Sequence, residues 1–167
     1  GYRISTYNPG NGKWQDVSNY IDINRGFCSA IAKDENGNDK IYLIGGYGNS
    51  SQDKSYASNS VRVLDPSTNT VEEYSSILPV EVADSACATI NNKIYYFGTA
   101  DPNDTLNKYQ TAGIFDPITN TATSIYNDDT RFLYLDQMST EINNFMYLFG
   151  GTTDDGVFLD SIIKYYP

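Results

Sequence analysis

Twenty-one acidic and eleven basic residues stand in a 167-residue sequence that contains no histidine. That absence takes imidazole out of any chemistry built from this chain alone: no histidine-held metal, no Ser-His-Asp triad, no Cys-His pair. Carboxylates remain. Asp128-Asp129 and Asp154-Asp155 are adjacent pairs, but acid–base work by two carboxylates requires that they face each other across a substrate, and neighbours on one loop rarely do. No catalytic residue and no metal ligand is therefore assigned. The run Asp34-Glu-Asn-Gly-Asn-Asp39 is oxygen-rich like a calcium loop, yet it lacks the closing bidentate glutamate and the flanking helices. An elongated turn accounts for it better. Gly45-Gly46-Tyr47-Gly48 has no following helix to receive a phosphate, so no cofactor is expected. Cys28 and Cys87 lie among small residues in apolar strands. They are too few for a disulfide framework and are read as buried core thiols rather than a bridge. Asn49-Ser-Ser51 and Asn103-Asp-Thr105 are N-glycosylation sequons, meaningful only in a secreted protein.

The elements that must position these residues are strands. Fifteen Tyr, seven Phe, thirteen Gly and six Pro, with many Asn, Asp, Ser and Thr, are the mixture of short aromatic strands joined by tight turns. The class is all-β. Three segments align on one another: Ile41-Tyr-Leu-Ile-Gly-Gly46, Ile94-Tyr-Tyr-Phe-Gly-Thr99 and Met146-Tyr-Leu-Phe-Gly-Gly151, with starts 53 and 52 residues apart. Between them recur Leu64-Asp-Pro-Ser-Thr-Asn-Thr70 and Phe115-Asp-Pro-Ile-Thr-Asn-Thr121, spaced by 51. A small-residue strand precedes each glycine strand, at 28–32, 85–90 and 138–142. Each unit thus reads as four antiparallel strands, a to d. Proline presets φ in the Asp-Pro turn between c and d, and Asp and Asn bond their own backbone. Asn91-Asn92 and Asn143-Asn144 supply the turns between a and b.

These signatures, recurring in register over nearly the whole chain, resemble kelch repeats, each of which builds one propeller blade of about 50 residues. Arg25, three residues before Cys28, is similar to the arginine that often precedes strand a in such blades. Two places depart from the pattern: Gly98-Thr99 replaces a Gly-Gly pair, and Trp14 alone keeps the tryptophan after the c–d turn, with Val71 and Ala122 at the matching positions. The resemblance implies a kelch-like β-propeller fragment of about three to three and a half four-stranded blades. Residues 1–18 are the outer strands of a first blade, 25–75 a second, 83–127 a third and 136–167 an incomplete fourth. An open arc would leave apolar blade faces to be covered by remaining propeller blades or a neighbouring chain. Some kelch-like propellers carry copper oxidase chemistry through imidazole, which this sequence cannot supply.

Strand direction then divides the connections between two faces. The a–b and c–d turns are mostly short. The d–a and b–c connections, at 18–26, 47–59, 77–84, 99–112, 127–136 and 152–160, are long and unlike one another, which is where binding resides on a rigid frame. They hold twelve acidic residues against four basic ones, whereas the short-turn side holds five against four. Arg25, Tyr47, Tyr56, Asp101, Asp104, Tyr109, Arg131, Tyr134, Asp154 and Asp155 are the candidate binding residues on that long-loop face. Acidic loops with tyrosines suit a protein or peptide partner, or a glycan. A net charge of −10 without a basic stripe speaks against nucleic acid. No apolar run is long enough to insert in a membrane. The expected function is a binding module, with a surface carbohydrate-binding, adhesion or structural propeller, or the non-catalytic part of a propeller enzyme, as alternatives. Composition leans toward an extracellular setting, with the cytoplasm as the alternative.

Overall fold

A computed structural model describes residues 2–21, 23–49, 55–99, 110–125, 136–153 and 155–167. The described elements are all strands, every named pair antiparallel. The first blade is a hairpin of β1 (Tyr2–Asn8) and β2 (Lys13–Ile21). The second is β4 (Cys28–Lys33), β5 (Asp39–Ile44), β8 (Val61–Asp65) and β9 (Thr70–Tyr74), in that order across the sheet. The third repeats it with β10 (Ala83–Ile90), β11 (Lys93–Thr99), β12 (Gln110–Asp116) and β13 (Thr121–Ser124). The fourth has β14 (Met138–Ile142), β15 (Phe145–Phe149) and β16 (Ile162–Tyr165). Among the described residues no helix is long and apolar enough to cross a membrane.

The turns follow from local chemistry. Asp65 accepts the Ser67 amide at 2.8 Å and Asp116 the Ile118 amide at 3.0 Å, so each aspartate closes the turn that its proline begins. Asn69 and Asn120 then take the left-handed conformation, with φ of 59° and 52°, which asparagine tolerates better than other non-glycine residues. The a–b turns place both asparagines there, Asn91 and Asn92 at 50° and 60°, Asn143 and Asn144 at 55° and 63°. The long turn of the second blade is held by Asp34, whose Oδ1 accepts the Asn36 and Asn38 amides at 2.9 and 2.8 Å.

The apolar core lies between sheets, not within one. Tyr42, Ile44 and Val61 of the second blade meet Ile94, Tyr96 and Phe115 of the third. Ala86, Ala88 and Phe97 of the third meet Met146 and Leu148 of the fourth, with Ile163 and Tyr165 packed alongside. Ile4 of the first blade packs with Leu43 and Val71 of the second. A sheet sandwiched between two others buries both faces, so β10, innermost of the third blade, alternates little between buried and exposed and is built of Ala, Ser and Cys. Register rows show the repeat. Cys28, Ile44 and Val61 lie side by side and are buried under the third blade, as Ala86, Phe97 and Ala112 are under the fourth. The equivalent row of the fourth blade, Met138, Phe149 and Ile162, is 75%, 38% and 67% exposed.

Two readings of the sequence need correction. Cys28 and Cys87 are buried as expected but are joined in a disulfide, their Cα atoms 5.7 Å apart, a separation at which a bridge forms without moving the backbone. Cys28 faces outward from β4 and Cys87 inward from β10, so the bridge crosses the interface between blades. Uncharged stitches run beside it: Thr89 Oγ1 donates to the Ile31 carbonyl at 2.7 Å, and the Asn92 side chain accepts the Lys33 amide on Oδ1 at 2.7 Å and donates from Nδ2 to the Lys33 carbonyl at 3.0 Å. Second, the connections at 18–26 and 47–59 are not wholly irregular. They contribute β3 (Ile23–Arg25), β6 (Tyr47–Asn49) and β7 (Ser55–Ala57) to a small sheet of their own. Burying Tyr47, Ala57 and Ala83 together gives that sheet a core.

Candidate functional site

The small sheet carries the long-loop face of the second blade, and its centre is a cluster of ionisable groups. Gly26 and Asp136 each stand two residues before strand a of their blades, Asp84 holds the matching place at the register shift near the start of β10, two residues before Ala86, and all three have positive φ, at 69°, 46° and 54°. The chain turns there from the d–a connection into the innermost strand. Successive corners dock on one another: the Ser85 amide donates to the Gly26 carbonyl at 3.2 Å and the Asp136 amide to that of Asp84 at 3.3 Å. Glycine is required at the first corner, because a Cβ on Gly26 would stand 2.8 Å from Asp84 Oδ1 and from the Tyr47 ring. The space it leaves lets Tyr47 donate its hydroxyl to Asp84 Oδ2 at 2.6 Å. The Arg25 guanidinium lies over the same ring, 5.1 Å from its centroid.

Burial raises the Asp84 carboxyl above its ordinary pKa, the nearby Asp136 raises it further, and the Tyr47 hydrogen bond and Arg25 lower it. Tyr47 moves up for the same first reason, burial, and through its bond to Asp84. The arrangement is a half-buried carboxylate with an exposed arginine and a second, exposed carboxylate beside it. It can accept hydrogen bonds from a cationic or hydroxylated group.

A raised carboxyl pKa has a consequence for stability whose sign can be tested. The folded chain holds the Asp84 proton more tightly than the unfolded chain does, so its contribution favours folding at low pH and is lost as pH rises through the raised value. Asp34, Asp65 and Asp155 are shifted the other way and contribute above the ordinary carboxylate pKa. Asp84→Asn isolates the first effect, since asparagine tolerates the positive φ and still accepts from Tyr47. In urea melts, the stability of the variant relative to the parent is expected to be higher at about pH 7 than at about pH 3.5. A difference independent of pH would show that Asp84 ionises as freely folded as unfolded.

The expected binding residues fall in different places. Arg25 is exposed at the end of β3 and Tyr56 is 43% exposed on β7, packed over Gly48. Asp155 is exposed in a turn where it accepts from the Thr153 hydroxyl. Tyr47 is only 3% exposed, so it supports the face from beneath. Asp101, Asp104, Tyr109, Arg131, Tyr134 and Asp154 lie outside the described residues, as does Asn103. Asp84 and Asp136 are the functional candidates that sequence reasoning missed. Their shared position with Gly26, two residues ahead of the equivalent residues Cys28, Ala86 and Met138, was the available signal.

Comparison with known proteins bears on what this frame is. The kelch motif matches residues 35–76, from the a–b turn of the second blade through its strand d. The solved structure of YjhT superposes with a TM-score of 0.72 over 93% of the chain at 17% sequence identity. The chain has a β-propeller fold and carries a kelch motif in its second blade. The chain spans 56% of YjhT. No curated protein sequence matches it. At this identity YjhT is similar in fold alone.

Proposed function

We propose that this kelch segment is a non-catalytic binding module that holds a basic segment of a protein partner on its long-loop face. The single observation that carries the reading is the Arg25–Tyr47–Asp84 cluster with Asp136 beside it, polar groups brought together where the small sheet meets the start of β10. Kelch repeats generally mediate protein interactions. The cross-blade disulfide supports work in an oxidising compartment, which favours the surface or secreted version of the same role.

An acidic field steers a basic partner and aromatic contact holds it. With a fluorescent peptide alternating Arg and Ser as the probe, changing Asp101, Asp104, Asp136 and Asp155 to Asn is expected to slow association and flatten its dependence on salt. Tyr56→Ala is expected to speed dissociation several-fold. Glu73→Gln and Asp116→Asn, away from that face, serve as controls. Equal losses in the controls would remove the assignment to the long-loop face.

A further inference from the structure

The short-turn face carries a cavity of about 230 Å³ between the second and third blades. One wall is the long a–b turn, with Asp34 and Glu35. Another is the c–d hairpin of the second blade, with Asp65, Glu72 and Tyr74, and the third blade closes it with Pro117 and Asn120. Its lining holds four carboxylates and one ammonium, that of Lys40. Asp34 and Asp65 are already committed. Lys40 donates to Asp65 and lies 3.7 Å from Asp34, which also caps its own turn. Glu35 and Glu72 are exposed at the rim, and among the described residues Glu35 has no hydrogen bond or ion pair.

Tyr42 supplies an independent indication of a ligand. It is 2% exposed, its ring packs on Phe115 with centroids 5.6 Å apart, and it lines the cavity. Its hydroxyl has no hydrogen-bond partner among the described residues. The side chain is almost wholly buried, and what its unpartnered hydroxyl can meet is whatever enters the cavity that Tyr42 lines. Burial raises its pKa to about 12, with Asp34 and Tyr74 across the cavity adding to the rise. It is therefore a neutral hydroxyl that can accept a hydrogen bond from a cation.

We infer that this inter-blade cavity binds a primary alkylammonium group, its head received by Tyr42, Glu35 and Glu72 and its carbon stem lying along Val63 and Pro117. The chemistry of the wall selects this class. A carboxylate or phosphate is repelled by Glu35 and Glu72, the two carboxylates that Lys40 does not pair. A metal ion finds no grouping of three ligating side chains among the described residues. The volume equals that of about eight liquid waters at ~30 Å³ each, room for a short amine but not for a sugar chain or nucleotide. An ammonium can come from a free diamine or from a lysine side chain of another protein, and both present the same head and stem.

Titration calorimetry on the whole chain with 1,4-diaminobutane and with Nα-acetyl-lysine N-methylamide tests the inference. Saturable binding is expected for at least one. The tighter of the two tells a free amine from a lysine side chain. Tyr42→Phe, which keeps the ring on Phe115, is expected to weaken binding about tenfold, and Glu35→Gln with Glu72→Gln by at least as much. Melting curves of the variants verify that they fold. Butan-1-ol, which has the stem without the charge, should not saturate. The inference is overturned by no saturable binding of either amine, by butan-1-ol binding as well as the amines, or by unchanged affinity in the folded variants. The long-loop variants Asp136→Asn and Tyr56→Ala should leave it untouched, so this site and the proposed partner face stand or fall separately.

Discussion

Gly45→Val is expected to abolish cooperative folding, whereas Gly150→Val is expected to melt cooperatively with a loss of about 1–3 kcal/mol. The two glycines end the same strand in different blades, and both have positive φ, 64° and 60°. A β-branched residue is strained at either place. What separates them is the neighbour. A Cβ on Gly45 would stand 2.2 Å from the Val82 carbonyl oxygen, and that oxygen is fixed because it accepts the Gly46 amide at 2.8 Å. Backbone on both sides leaves no side chain to yield. Among the described residues, a Cβ on Gly150 would meet only the Leu159 carbonyl, at 3.5 Å, an ordinary contact. Urea melts followed by far-ultraviolet circular dichroism measure the difference, and equal destabilisation of the two variants would show that the approach of Val82 does not matter.

Breaking the Cys28–Cys87 bridge is expected to lower stability by about 4 kcal/mol, the chain-entropy value for closing a loop of about 60 residues. The bridge ties residues 59 apart across the seam between the second and third blades. The Thr89 and Asn92 stitches beside it remain when it is gone, so the reduced protein should keep its fold while its denaturation midpoint falls. Cys28→Ala with Cys87→Ala in one chain should match the reduced parent and respond no further to reductant. An unchanged midpoint on adding reductant to the parent would mean that the seam is held by packing and hydrogen bonds alone.

Both expectations bear on what the sequence could reveal. The blade pattern was legible because turn chemistry is local: Asp65-Pro66 and Asp116-Pro117 close their own turns, and the paired asparagines adopt the φ that a tight hairpin demands. The glycines were legible as punctuation, but not the inequality between Gly45 and Gly150, which depends on how close another blade passes. The disulfide was missed although strand parity contained it. Cys87 stands one residue after Ala86, the equivalent of Cys28, and therefore points to the opposite face, toward the preceding blade. Tyr47 illustrates the remaining limit. A tyrosine just after a Gly-Gly pair reads as a loop aromatic open to solvent, yet the positive φ at Gly26 makes a space that buries its ring against Asp84. The cavity at Tyr42 could not be read at all, since its walls come from turns of two blades whose separation is a property of the packed structure.

The account rests most heavily on which face meets a partner, and that is open to one direct comparison. Tyr56 on the long-loop face and Ile118 in a c–d turn of the opposite face are similarly exposed, at 43% and 46%. A photo-crosslinking phenylalanine derivative placed at each position in turn, in the protein expressed in its own cells, reports what lies against each face. The account predicts a discrete crosslinked species from position 56, lost when Asp101, Asp104, Asp136 and Asp155 are neutralised, and none from position 118. A discrete species from position 118 with none from position 56 would contradict it.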